Sequence, residues 1–345
     1  MSYKSEQVYP SNVHNASQRI DLPDAARGLC IMLVVIGHVI GGLRDAQLVP
    51  IDGILVQIFN YIYTFHMPAF FFLSGMFASS LEKKDGKKFA KDLLIRIYYP
   101  CVLWSAVQTF SMNLTGSLLN HPQDFSWFQI RNIALGNVSQ FWFLKALILM
   151  QIVHYLFSRF MNKKYELVFF LLLLGLSTFP ALPSFFTPFA KFGIYYGLGT
   201  LLFQDKEKKE WTDLSFLFLT LVAGILWFVV SSYSFTQTNL AEIGTPKYLS
   251  QVPSTILGCA FIFFLVRISY IRSFSALVYI GQRTMPIYVL HVMIVAGTRI
   301  FMVKGLGYSD PLVIFPIALI LGTIIPVIFY DMARRFNLQR WLGLG

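Results

Sequence analysis

Charge is what this chain lacks. Only 13% of its 345 residues are Asp, Glu, Lys or Arg, whereas 56% are hydrophobic and 17% aromatic. A soluble domain carries roughly 25% charged residues, so a water-facing globule of this length could not be covered with polar side chains. The mean hydropathy of +0.60 agrees. Acid is scarcer than base, at 17 against 28 residues, and the net charge is +11. Cysteine is nearly missing. Cys30, Cys101 and Cys259 all fall in apolar stretches, where they read as small packing residues rather than disulfides or metal ligands. Most soluble enzyme and nucleic-acid-binding classes are excluded, and the expected fold is an all-α integral membrane protein.

Apolar stretches long enough to span a bilayer, about 20 residues each, run over about 26–44, 53–79, 93–113, 139–160, 165–183, 185–203, 213–233, 252–271, 279–302 and 311–331. The second carries Pro68 near its middle, which predicts a kink. These ten spans make the basic excess interpretable. Twenty-one of the 28 Lys and Arg residues fall on the N-terminal side, in the tail and alternate loops, including the run from Lys83 to Arg96. The opposite loops hold only Arg44, Arg131, Lys247 and Lys304, and Lys145, Lys191 and Arg299 lie inside spans. By the positive-inside rule both termini are cytoplasmic, consistent with an even number of spans. The excess is therefore a membrane address, and no nucleic acid partner is expected. The expected organisation is a cytoplasmic tail over 1–25, a transmembrane domain over 26–331 and a short cytoplasmic tail over 332–345. No cleavable leader is apparent, and the plasma (inner) membrane is the expected location.

Ionisable groups inside spans are functional candidates. His14 and His121 read as solvated, and His154, near the inner end of its span, as a snorkelling or interhelical hydrogen-bonding group. His38, His66 and His291 each lie near mid-span, which suggests either a shared polar cavity or three separate interhelical hydrogen bonds. Arg27 and His38 are eleven residues apart, three turns up one helical face, and Asp24 is fourteen residues below His38. One face thus carries an acid–base pair at the membrane boundary and an imidazole deep within. Ser74 reads as a packing or locally bonded hydroxyl. Thr284, Tyr288 and His291 share a face in the ninth span.

At these residues the sequence resembles the acyltransferase 3 family of membrane-bound O-acyltransferases. The matching pieces are Asp24-x2-Arg27-Gly28-x9-His38, the stretch from Phe65 to Gly75, Arg96-Ile97-x2-Pro100 with Trp104, Trp142-Phe143-Leu144, and Ile287-Tyr288-x2-His291. The resemblance departs at Leu93, where members often carry a second basic residue. It implies a stand-alone, ten-helix O-acetyltransferase. An acyl group, most often acetyl from cytoplasmic acetyl-CoA, would pass to a hydroxyl of an envelope polysaccharide or its lipid-linked precursor, with no metal. His38 is the expected general base, with Asp24, His66 and His291 as further catalytic candidates. Arg27, Arg96 and Lys145 are donor-binding candidates. Arg27 and Arg96 also fit as simple topological anchors, and the mid-span histidines also suit a proton-coupled transporter or glycan flippase.

The charge asymmetry gives a direct expectation about orientation. A fluorescent protein that folds only in the cytoplasm, fused after Gly345, should glow, whereas the same fusion after Pro50 should stay dark. The reverse pattern would overturn the assignment.

Overall fold

The computed structural model describes residues 22–118, 127–162, 164–179, 182–183, 185–202, 212–236 and 247–344. His14, His121 and nearly all of the 1–25 segment lie outside them. The described chain is all helical: α1 (Leu22–Asp45), α2 (Ile54–Tyr63), α3 (His66–Met76), α4 (Ser79–Glu82), α5 (Gly86–Leu93), α6 (Tyr99–Thr115), α7 (Trp127–Ala134), α8 (Trp142–Phe160), α9 (Lys164–Leu176), α10 (Thr187–Leu202), α11 (Asp213–Thr236), α12 (Lys247–Ser250), α13 (Val252–Leu265), α14 (Ser269–Arg272), α15 (Ser275–Gly281), α16 (Thr284–Ile300) and α17 (Pro311–Arg335). Five helical segments are long and apolar enough to cross a membrane: Leu22–Asp45, Ser139–Phe160, Asp213–Phe235, Thr284–Gly305 and Pro311–Arg335. The other five expected spans are helical too, but broken or shorter. That over 53–79 is two helices, and those at 165–183, 185–203 and 252–271 hold helices of 13, 16 and 14 residues.

The breaks follow from proline chemistry. Proline has no N–H to offer the carbonyl four residues earlier, and its ring collides with that carbonyl. For Pro68 the carbonyl is that of Thr64, and the chain breaks there, between α2 and α3, rather than bending at Pro68 itself. The freed Thr64 oxygen accepts a 2.7 Å hydrogen bond from the Thr255 hydroxyl of α13. For Pro100 the carbonyl belongs to Arg96, and Leu94–Tyr98 widen into a π-turn. For Pro286 it belongs to Gln282, in the gap between α15 and α16.

α1 is the central helix, packed against α2, α3, α15, α16 and α17. Its closest approach is to α15. A Cβ on Gly28 would lie 2.1 Å from the Leu277 carbonyl oxygen, and one on Gly281 only 1.7 Å from that of Asp24. Backbones this close require glycine on both sides. α17 runs to Arg335, four residues past the expected domain end. The terminal segment beyond it docks on α6, where Trp104 Nε1 donates to the Leu342 carbonyl at 2.9 Å and the Tyr99 hydroxyl to that of Trp341 at 2.5 Å. Of the two readings of His154, the structure shows the interhelical one. Its Nδ1 is 3.0 Å from Glu166 Oε2, and its Nε2 is 3.3 Å from Glu82 Oε1.

Gly281→Ala should therefore destabilise the purified chain by about 1–3 kcal/mol, the usual cost of overpacking. Gly297→Ala, whose Cβ would meet nothing within 4 Å, should leave the thermal midpoint unchanged or slightly raised. Equal losses in the two variants would contradict the close-contact account.

Candidate active site

α1 carries Arg27 near its start and His38 three turns along, as the spacing requires. α16 stands beside it, and its His291 ring meets the His38 ring edge-on, with centroids 4.9 Å apart at 63°. His291 is fully buried. Its Nδ1–H is directed at the carbonyls of Ile287 and Tyr288, each at 2.9 Å. That bond fixes the tautomer and leaves Nε2 as a lone-pair acceptor, with no hydrogen-bond partner among the described residues. His66 opens α3, immediately after the Thr64 break. Its Nδ1 is likewise 2.9 Å from the Ile62 carbonyl, and its ring lies 4.5 Å from that of Tyr63. His38 is within electrostatic reach of both other histidines. The three mid-span histidines therefore form one neighbourhood.

Two cavities approach this neighbourhood from opposite ends. The first, about 440 Å³, has Arg27 at its mouth, Phe70, Leu73 and Leu144 among its apolar walls, and Ser74, Gln151, Gln282 and Tyr288 as polar lining. The second, about 370 Å³, is lined by His38, Tyr63, Phe59, Arg44, Asp45, Ser139 and Arg299. Val34 lines the first and His38 the second; Tyr288 lines the first and Val292 the second. Each pair is four residues apart on one helix, so the partition between the cavities is about 6 Å thick. His38 and His291 sit in that partition. His66 faces a third cavity, of about 180 Å³, with Lys191, Tyr195 and Thr255, and Tyr63 forms a wall of both it and the second.

The remaining expected site residues divide. Asp24 is buried, and its Oδ1 is 3.5 Å from Arg27 Nη1. It lies about 21 Å along the helix from His38, which suits holding Arg27 and puts it beyond reach of the imidazole. Arg96 is exposed and points to Asp92 at 3.5 Å, outside the lining of the first cavity. The hydrogen bond from the Lys84 ammonium, 2.7 Å away, pulls the Asp92 carboxyl below its usual pKa and keeps it ionised. Lys145 is not at the histidines. It bonds Asn137 and faces a separate cavity of about 170 Å³ with Cys101 and Gly136. The Ser74 hydroxyl donates to the Phe70 carbonyl at 2.8 Å, which occupies its proton locally.

Sequence reasoning did not single out Tyr63, Gln151 or Gln282, or assign Arg299 a site. Gln282 had a signal in the proline four residues later. Arg299 had one in being a charge inside a span. Tyr63 and Gln151 had none, because only the tertiary arrangement turns them to the cavities. Among the described residues no cluster of His, Cys, Asp or Glu is arranged to hold a metal ion.

A family model described as an acyltransferase domain (Acyl_transf_3) matches residues 20–331, nearly the whole chain. No curated protein and no solved structure matches it.

Proposed function

The chain belongs to the acyltransferase 3 family, and from that premise we propose that it is a membrane-embedded O-acyltransferase. It moves an acetyl group from cytoplasmic acetyl-CoA to a hydroxyl of an envelope polysaccharide or its lipid-linked precursor. The observation that carries this reading is the pair of cavities separated by one helical turn, with His38 and His291 in the partition. A reaction between a donor on one side of the plasma membrane and an acceptor on the other needs such a junction.

The first cavity is the donor side. Its amphipathic lining suits a pantetheine arm, with Ser74, Gln151 and Gln282 beside apolar walls to meet two amides on an aliphatic chain. Arg27 stands at the mouth, where the anionic part of the donor would remain, and Asp24 orients its guanidinium. The exposed Lys83, Lys87, Lys88 and Lys91 add a positive rim, which also suits anionic headgroups.

The second cavity is the acceptor side. There His38 takes the proton from the acceptor hydroxyl as its oxygen attacks the thioester carbonyl carbon. The carbon–sulfur bond then breaks, the thiolate leaves as free coenzyme A after taking up a proton, and the ester remains on the sugar. His291 is fully buried behind His38, its tautomer held by the backbone of its own helix, and its edge-on ring contact serves to position His38. An acetyl-histidine intermediate on His38 is equally compatible with this geometry.

Two opposed cavities also suit a carrier, so the decisive readout is the bond formed. Inside-out vesicles given labelled acetyl-CoA should accumulate label in envelope glycan. His38→Ala should lower that rate by about 10²- to 10⁴-fold, the usual contribution of a general base. Equal labelling by both variants would refute the role of His38, and glycan movement without transfer of label would favour the carrier. Arg27→Ala should raise the donor KM roughly tenfold, the worth of one charge-assisted hydrogen bond of about 1.5 kcal/mol, with the acceptor KM unchanged. An unaltered donor KM would return Arg27 to a topological anchor.

A further inference from the structure

His154 faces a carboxylate at each ring nitrogen and lies outside the linings of the two cavities that end on His38. It is buried, as are Glu166 and Tyr196 beside it, whereas Glu82 is partly exposed. Four elements thus meet at one imidazole: α4 through Glu82, α8 through His154 itself, α9 through Glu166 and α10 through Tyr196. The two sides differ in strength. Nδ1 faces both Glu166 oxygens, at 3.1 and 3.0 Å. Nε2 stands 3.3 Å from Glu82 Oε1, close enough for a charge contact but not aligned as a hydrogen bond. The imidazole serves both carboxylates when each nitrogen carries a proton. The Tyr196 ring lies 6.0 Å away, within electrostatic reach of both acids.

The weaker side carries the rim of the first cavity. α4 is four residues long and buries none of them, so apolar packing gives it little hold. The helix before it is fixed, because a Cβ on Gly75 of α3 would lie 2.1 Å from the Tyr196 carbonyl oxygen of α10. Beyond α4 the Lys84 carbonyl accepts from the Tyr155 hydroxyl at 3.2 Å and from Arg159 Nη2 at 2.6 Å, both on α8. Between these anchors, Glu82 ties α4 itself to α8. Ser80 and Leu81 of α4 line the first cavity. Phe77, just before them, lies 6.0 Å from the Arg27 guanidinium at the mouth. Gln151, three residues before His154 on α8, lines the same cavity. His154 thus holds from behind the wall that α4 presents to the cavity.

We propose that Glu82 is a positioning residue for the acyl donor: drawn in by His154, it seats α4 as the rim that closes on the pantetheine arm. This rests on the acyltransferase reading and deepens it, because it assigns part of the donor affinity to a contact outside the cavity. Glu82 is not in the cavity lining, so it acts through α4. Glu166 holds the imidazole, and the partly exposed Glu82 is the side that gives when the donor enters or leaves.

The test uses the full chain in lipid nanodiscs, with coenzyme A as the probe and backbone amide exchange over 78–86 as the measure of the rim. Coenzyme A should slow that exchange in the wild type. Glu82→Ala should speed it in the absence of the probe and weaken coenzyme A binding about threefold to tenfold, between the worth of an exposed and a buried ion pair. In turnover its donor KM should rise by the same factor, with the acceptor KM and the kcat at saturating donor retained. Glu82→Gln should recover part of the loss. Glu82→Ala introduced into His154→Gln should add little, since both remove one contact, and full additivity in the folded double variant would overturn the role of His154. Should His154→Gln strand the buried Glu166 and fail to fold, the Glu82 variants decide alone. Unchanged affinity in Glu82→Ala would overturn the proposal. So would coenzyme A binding that leaves exchange over 78–86 unaltered, or a wild type that binds no coenzyme A. The labelled-acetyl experiment stays independent: no transfer of label alongside these effects would count against the acyltransferase and leave the rim contact standing.

Discussion

The contact between Gly28 of α1 and the backbone of α15 is the constraint on which the site depends. A Cβ on either Gly28 or Gly281 would overlap the facing carbonyl, so the two chains touch with nothing between them. That contact sets the height of α1 against the α15–α16 unit. With the height set, His38 arrives level with His291, and Arg27 arrives at the mouth of the cavity that Gln282 and Thr284 also line. A shift of one residue along α1 would rotate His38 by about 100° away from α16. On the proposed mechanism the small residues in this motif are thus as necessary as the imidazole.

Proline supplies the second ingredient, room. Breaking a helix at membrane depth leaves carbonyls without partners, which is tolerated only where protein or a cavity receives them. At Thr64 the Thr255 hydroxyl receives the carbonyl, and His66 begins the next helix at once. At Gln282 the break lies in the wall of the first cavity. Two of the breaks thus lie beside the cavities, whereas α11 and α17 run unbroken with many apolar side chains exposed. The net charge of +11 divides the same way. On the expected topology the exposed lysines before α6 lie on the cytoplasmic side. Of the buried cations, Lys145 and Arg299 line cavities, and Arg283 is held by Asp331.

Much of this was legible in the sequence because it is encoded by spacing along one helix. The eleven residues from Arg27 to His38 need only a regular α1, and the helix is unbroken from Leu22 to Asp45. The gathering of His38, His66 and His291 was suggested by their depth alone. The break signalled by Pro68 falls one turn earlier, at the Thr64 carbonyl that the proline frees. Lys145 illustrates the limit. Its depth and its closeness to the Trp142-Phe143-Leu144 piece placed it at the cavity, but it turns to a different face of α8. Sequence depth fixes the height of a side chain in a bundle, whereas its direction depends on which neighbours its helix packs against.

The central claim is that cavities from opposite membrane faces end on the same pair of histidines. Sidedness of chemical access tests it most directly. In a chain with the three native cysteines replaced, Ser74→Cys and Ala296→Cys would be exposed to a membrane-impermeant thiol reagent applied to one face at a time. Ser74→Cys should react only from the face bearing Arg27 and be shielded by coenzyme A, and Ala296→Cys should react only from the opposite face. Reaction of both from a single face would contradict the account.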